Sequence, residues 1–202
     1  MLCMDFVNTV DWRGRENPIE FLNDYKDLVD WGRHAGIVKS KEAKALIQKA
    51  SKHPIKAKAV LNEAVSFREA LYRIVASILE KKAPGKKDLI TLNEAISKNV
   101  SQMKIVHTGS GFKWESDSPK DNLDGLLFTV TRSASDLLLS ESLARVKRCT
   151  DSDCGWLFLD TSKNRSRRWC DMTDCGNRAK ANRFYKRNQN TINPSTPRRK
   201  PR

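Results

Sequence analysis

The chain has 202 residues, and its 38 Lys and Arg against 24 Asp and Glu give a formal net charge of +14. It holds no apolar run of about 18 residues and no charged-then-apolar leader, so we expect no membrane span and a cytoplasmic location, at the nucleoid if the chain binds DNA. Residues 145–202 carry 16 basic against 5 acidic side chains, a net +11, which favours a polyanionic partner and nucleic acid above all.

The opening stretch, residues 2–13, is largely apolar, but three polar residues recur in it every three positions, Asp5, Asn8 and Asp11. This spacing predicts a buried first helix with one polar stripe, where unpaired side chains are costly. Two interpretations remain open. The polar groups satisfy backbone groups or cap neighbouring helices, or they form a ligand pocket together with Arg13.

Residues 18–139 are dominated by apolar side chains spaced at three and four, the pattern of amphipathic helices, with prolines and glycines at their ends. The predicted helices span residues 18–34, 41–52, 55–82, 88–101 and 123–139. The helix over 55–82 is the predicted centre of the domain. Two runs of β-formers around a glycine-rich turn predict a hairpin over 104–115, and 142–148 is predicted as a last helical turn.

Four cysteines form two brackets of equal spacing, Cys149 with Cys154 and Cys170 with Cys175. Each close pair can offer two sulfurs to one tetrahedral ion, which predicts a structural Zn²⁺ site, one per chain. Four thiolates close the coordination shell, whereas catalytic zinc keeps a position open for water, so we expect no enzyme here. The fifth cysteine, Cys3, is predicted to be a buried thiol.

The residues around the cysteines predict a knuckle, a hairpin and then a helix, which is the order of a treble-clef finger. The apolar runs 155–160 and 166–169 are the predicted strands of its hairpin. The helix over 176–187 is expected to pack Ala181, Phe184 and Tyr185 on that hairpin. This packing leaves no exposed aromatic platform for bases and argues against RNA as the partner.

The finger is rich in cations, and two uses are expected for them. A zinc ion with four thiolates carries a net negative charge, and Arg178 or Arg168 is predicted to stabilise it. The acidic Asp160 is expected to pair with one of the arginines. The predicted nucleic-acid contacts are Arg165, Arg167, Arg168, Arg178, Lys180, Arg183, Lys186 and Arg187.

The tetrapeptide Cys175-Gly176-Asn177-Arg178, with residues 154–160 and 167–170 before it, resembles the CGNR zinc-finger family. The opening stretch, residues 2–13, resembles the start of the ABATE domain that precedes this finger. The resemblance implies a largely helical ABATE domain followed by a treble-clef finger that binds DNA. It also implies that the protein is a stress-induced transcription regulator.

The expected fold is therefore mainly α. It comprises an N-terminal helical, ABATE-like domain with one small β-hairpin (1–144), a treble-clef zinc finger (145–188) and a disordered basic tail (189–202). The first function hypothesis is a DNA-binding transcription regulator whose helical domain senses a small-molecule effector or forms a homodimer. The alternatives are an RNA-binding or ribosome-associated zinc protein and, third, an enzyme with its pocket in the helical domain.

Overall fold

A computed structural model describes residues 1–116 and 122–192. Its helices are α1 (Leu2–Val7), α2 (Tyr25–His34), α3 (Ser40–Lys52), α4 (Pro54–Leu79), α5 (Lys86–Val100), α6 (Gly125–Leu138) and α7 (Asn177–Ile192). Its strands are β1 (Val10–Asp11), β2 (Ile19–Glu20), β3 (Met103–Thr108), β4 (Gly111–Ser116), β5 (Val146–Arg148) and β6 (Leu157–Leu159). Among these residues, no helix is both long and apolar enough to cross a bilayer. The predicted mainly α fold class is confirmed.

The core surrounds α4, as predicted. Helices α1, α2, α3 and α5 pack against it, and α6 closes the core by packing on α1 and α5. The inward face of α4 places apolar residues three and four apart, including Ala64, Phe67, Leu71 and Ile74, all of them buried. Burying each large apolar side chain stabilises the fold by about 1.5 to 3 kcal/mol. Pro54 starts α4 without losing a hydrogen bond and so separates α4 from α3.

The N-terminal region differs from its prediction. Helix α1 ends at Val7, and β1 then pairs antiparallel with β2, Val10 opposite Glu20. The helix predicted from residue 18 instead starts at Tyr25, because the side chain of Asp24 accepts the backbone N–H of Asp27 at 2.9 Å in a capping box. The pairing of β2 with β1 takes the backbone of residues 19–20 into a sheet and excludes it from the helix.

The predicted hairpin over 104–115 is confirmed as β3 and β4, with Ile105 opposite Trp114. The predicted helical turn over 142–148 is confirmed as far as Arg145 but is wrong for residues 146–148, which form β5. A short 3₁₀ helix, Glu141–Arg145, passes into β5, and β5 pairs antiparallel with β6. The predicted pairing of 155–160 with 166–169 is also wrong, because Val146 of β5 and Leu157 of β6 are buried in the core of the N-terminal helices.

Helix α7 continues to Ile192, beyond its predicted end at Arg187. Residues 188–192 contain neither glycine nor proline, so nothing in this part of the chain stops the helix. The predicted disordered tail over 189–202 therefore begins within α7. Its remainder, 193–202, lies outside the described residues, and the division of the chain at residues 144 and 188 stays a prediction.

Candidate metal centre and basic surface

The four clustered cysteines come from four different places in the finger. Cys149 directly follows β5, and Cys154 lies in the turn before β6. Cys170 lies in an irregular segment, and Cys175 lies in a π-helical turn, Met172–Gly176, that leads into α7. The carboxylate of Asp171 accepts the backbone N–H groups at the start of this turn, which sets the direction of the chain at the fourth ligand.

The geometry of the cluster fits a tetrahedral ion. The four sulfur atoms lie within 4.8 Å of one another, with 3.6 Å between Cys154 and Cys170 and 3.7 Å between Cys170 and Cys175. Zinc–sulfur bonds of about 2.3 Å in a tetrahedron require about 3.8 Å between sulfurs. Three of the thiols are buried, and Trp156 and Trp169 pack around the cluster. The predicted structural zinc site is confirmed.

The thiols influence one another strongly. Hydrogen bonding from Cys170 lowers the pKa of Cys154 to about 6, and the same contact raises the pKa of Cys170. Burial raises the pKa of Cys175 to about 12. Four sulfurs at this separation cannot all be ionised without a compensating cation, so this donor set suits Zn²⁺.

Arg178 stabilises the metal centre, as predicted. Its Nη2 donates to the sulfur of Cys175 at 3.1 Å and its Nε donates to the carboxylate of Asp151 at 2.7 Å. Its guanidinium carbon also lies 4.3 Å from the centre of the Trp12 ring. Arg178 therefore joins α7, the zinc knuckle (residues 149–154) and the N-terminal domain. Arg168, the other predicted stabiliser, lies against Trp169 instead.

Comparisons with known families agree with this architecture. A family model of the CGNR zinc finger matches residues 145–188. A second model, that of ABATE, described as "Putative stress-induced transcription regulator", matches residues 1–141. The chain belongs to the ABATE family. No curated protein shows significant similarity to it. Both resemblances seen in the sequence are confirmed.

The zinc knuckle is bound directly to the ABATE domain. The backbone N–H groups of Arg13 and Gly14 donate to the carbonyls of Cys154 and Asp153 at 3.1 and 3.0 Å. A Cβ at Gly14 would lie 1.8 Å from the Ser152 carbonyl oxygen, so this approach requires glycine. The contact fixes the first pair of zinc ligands relative to the N-terminal strands.

Two further side chains continue this junction. The amide of Asn8 donates to the Leu157 carbonyl at 2.8 Å and accepts the Leu157 N–H at 3.0 Å. The indole of Trp156 donates to the Val10 carbonyl at 2.9 Å. Asn8 thus satisfies backbone groups, the first of the two interpretations of the N-terminal polar stripe.

A cavity of about 450 Å³ lies at the same junction. It is lined by Asp5, Asn8, Thr9, Phe21, Leu22, Asp27, Asp30, Trp31 and Trp156. Two of the four residues predicted for a ligand pocket, Asp5 and Asn8, therefore reach it. Asp11 instead accepts the N–H of Trp12, and Arg13 forms two hydrogen bonds with Glu69 at 2.8 and 2.9 Å.

Sequence reasoning missed the charged network behind Arg13. Arg68 is only 2 % exposed, binds the carboxylate of Glu20 through two nitrogens at 2.6 and 2.5 Å, and donates to Glu69 at 2.9 Å. One signal pointed to it, since Arg68 lies four residues after Ala64 and three before Leu71, on the apolar face of α4. The network holds β2 and the chain after β1 against this helix.

The side chain of Asp160 connects β5 with residues 162–167 of the finger. Its buried carboxylate accepts hydrogen bonds from Lys147 at 2.7 Å, from the Ser162 hydroxyl at 2.6 Å and from the Arg167 backbone at 3.0 Å. These donors, among which Lys147 has the largest effect, hold the pKa of Asp160 well below its usual range. Asp160 was expected to pair with an arginine, but its ion pair is with Lys147. Lys147 lies on β5, and the pairing of β5 with β6, which the sequence did not predict, brings it close to Asp160.

The predicted nucleic-acid residues divide into two groups. Arg167 and Arg178 are engaged within the finger, since the Arg167 side chain donates to the carbonyls of Trp169 and Cys170. Arg167 is nevertheless exposed, as are the side chains of Arg165, Arg168, Lys180, Arg183 and Arg187. The side chain of Lys186 lies outside the described part of the structure. Lys147 and Arg148, not predicted, border a cleft of about 420 Å³ with Arg168.

The predicted packing of the finger helix is wrong. Ala181 is exposed, and Phe184 and Tyr185 are 61 % and 65 % exposed. The hairpin that was expected to cover these residues does not form, because β6 pairs with β5 and its Leu157 is buried in the ABATE core. Because Phe184 and Tyr185 are exposed, the helix does offer aromatic rings to bases, and their expected burial is no reason to exclude RNA.

Proposed function

We propose that this protein is a transcription regulator that binds nucleic acid through its zinc finger, with DNA as the preferred partner. The observation that carries the proposal is the charge of α7, which contains five Lys and Arg and no Asp or Glu over residues 177–192. The zinc centre anchors the start of this helix, and Lys180 and Arg183 are exposed on it. The family description supports regulation of transcription.

Phosphate binding is the expected chemistry of these cations. A protein that neutralises phosphates releases condensed counterions, so its affinity for duplex DNA falls with salt, by a slope of about 0.9 per phosphate contact. Arg178 is not counted among the expected phosphate contacts, because it binds Asp151 and Cys175. Lys180 and Arg183 are the residues of the predicted set that we expect to contribute first.

The double variant Lys180→Ala with Arg183→Ala is expected to bind duplex DNA more weakly and to lower the slope of log Kd against log salt by about 2. Fluorescence anisotropy titrations at several salt concentrations measure both quantities. The matched control, Lys56→Ala with Lys58→Ala, removes the same charge from exposed positions on α4 of the ABATE domain. An unchanged slope in the finger variant, or an equal loss in the control, contradicts the proposal.

RNA is the second candidate partner, and the exposure of Phe184 and Tyr185 favours it. Competition between duplex DNA and structured RNA for the zinc-loaded chain separates the two. If RNA displaces bound DNA more effectively than DNA displaces RNA at equal nucleotide concentration, the proposed partner becomes RNA.

The ABATE domain is proposed to sense an effector in the junction cavity or to form the homodimer contact. The cavity combines carboxylates with aromatic rings, among them Asp5, Trp31 and Trp156, a lining that suits a small organic cation. Because Trp156 and Asn8 also bind across the junction, an occupied cavity would change how the finger is held.

A thermal-shift screen of small amines is expected to find compounds that raise the melting temperature of the wild-type chain. Asp5→Ala, in the cavity wall, should reduce that rise, whereas Asp11→Ala, outside the wall, should preserve it. A bound amine seen elsewhere in a crystal structure would overturn the proposed effector site.

A further inference from the structure

Two neighbouring aromatic rings stand open to solvent on α7. Phe184 and Tyr185 are 61 % and 65 % exposed, and their ring centres lie 6.1 Å apart with an angle of 72° between the ring planes. In this edge-to-face arrangement the ring that presents its edge keeps both of its flat faces available. Exposed flat faces are the surfaces on which other planar groups stack.

The charged residues of α7 are all basic. Lys180 lies four residues before Phe184, on the same face of the helix, and Arg183 directly precedes it. Both cations are exposed. The occupant of this face therefore needs negative charge together with flat apolar groups.

This requirement excludes several occupants. A second copy of the chain docked through the same face would place two helices against each other, each with five Lys and Arg and no acidic residue, and like charges in contact are repulsive. An uncharged apolar partner would remove water from Lys180 and Arg183 without replacing it. Nucleic acid supplies both phosphates and planar bases.

The rings further distinguish unpaired from paired bases. In a duplex, neighbouring base pairs cover the flat faces, and the grooves present only base edges. Single strands leave these faces available for stacking on aromatic side chains.

We propose that Phe184 and Tyr185 stack on the unpaired bases of a single-stranded nucleic acid whose phosphates are bound by Lys180 and Arg183. This inference rests on the proposed nucleic-acid binding and names the form of nucleic acid that the α7 surface takes. It adds a contact that does not depend on salt to the salt-dependent contacts of the lysine and arginine.

The test uses the full zinc-loaded chain with oligothymidylate and oligouridylate of about 12 nucleotides and with a duplex. Phe184→Ala and Tyr185→Ala are each expected to weaken single-strand binding by about 5- to 150-fold, with little change in the salt slope or in duplex binding. A 2-aminopurine placed in the strand should lose its stacking-dependent fluorescence change in these variants, whereas Phe184→Trp should retain it.

Phe112→Ala is the matched control, because Phe112 is 77 % exposed on β4, outside the finger. Zinc content and circular dichroism verify that each variant is folded. If the alanine variants bind single strands normally while duplex binding keeps its salt dependence, the stacking inference fails and the proposed function stands. If neither strand nor duplex binds, both fail. Loss of a dimer in sedimentation, with unchanged strand affinity, would reassign the rings to a protein contact and overturn the inference.

Discussion

Replacing Cys170 by Ser, or removing the metal with a chelator, is expected to unfold the finger between residues 149 and 176. Structural zinc contributes about 10 to 16 kcal/mol of apparent binding free energy in zinc-finger peptides near neutral pH. Here the segment that carries Cys170 and Cys175 contains no strand, and the sulfur cluster joins it to the knuckle. Zinc content by mass spectrometry and hydrogen exchange of residues 149–176 measure the loss.

The expected loss is local. Helix α4 and its neighbours should keep their exchange protection, because within the part of the chain that the structure describes their buried core takes only Val146 and Leu157 from the finger. Cys3→Ala is the matched control, since Cys3 is a buried cysteine outside the zinc cluster and its loss should leave one zinc per chain. A metal-free chain that retains protection at 149–176 would show that zinc is not structural.

Arg68→Met is expected to lower the free energy of unfolding of the ABATE domain by about 3 to 5 kcal/mol. The guanidinium of Arg68 is buried between Glu20 and Glu69 and also donates to the hydroxyl of Thr9 at 3.1 Å. Methionine fills a similar volume but leaves these acceptors without their donor. Urea denaturation followed by circular dichroism measures the change.

Arg73→Met provides the comparison on the same helix. Arg73 is 55 % exposed and pairs with Asp88 at the surface, where ion pairs are worth about 0 to 1 kcal/mol. If Arg68→Met and Arg73→Met lower the free energy of unfolding by similar amounts, burial of the Arg68 ion pairs does not determine how much they contribute to stability.

The same network predicts a pH dependence. Burial raises the pKa of Glu69, but the guanidinium groups of Arg13 and Arg68 outweigh it and hold the pKa below its ordinary value; Arg68 does the same for Glu20. Stability from these lowered pKa values is present above the unfolded glutamate pKa of about 4.3 and is lost as the pH falls through the folded values. Arg68→Met should therefore lose less stability on acidification than the wild type.

The finger and the ABATE domain are physically continuous at their junction. Val146 and Leu157 belong to the ABATE core. Across the boundary, Asn8 hydrogen-bonds the backbone of Leu157, and Trp156 donates to the Val10 carbonyl. A change at the cavity can therefore reach the zinc knuckle through directly bonded groups. This continuity is the structural basis for proposing that the ABATE domain controls the finger.

Local pattern in the sequence was sufficient for most helices, for the β3–β4 hairpin and for the four zinc ligands. Apolar residues at three and four, prolines at helix starts and paired cysteines are determined by neighbouring residues. The sequence left two candidates for the cation that stabilises the zinc site, Arg178 and Arg168, and only the structure selects Arg178, which donates to the sulfur of Cys175.

Partners distant in sequence were decided only by the tertiary structure. Leu157 hydrogen-bonds Asn8, 149 residues away, and β6 pairs with β5 because both complete a core that lies outside the finger. Because β6 pairs with β5, the hairpin expected to cover Phe184 and Tyr185 does not form, and both rings are exposed. Periodicity shows which face of an element is apolar but carries no information on which surface covers it. For this reason the sequence located the zinc finger and its basic helix, whereas the junction with the ABATE domain and the open aromatic rings appeared only in the folded chain.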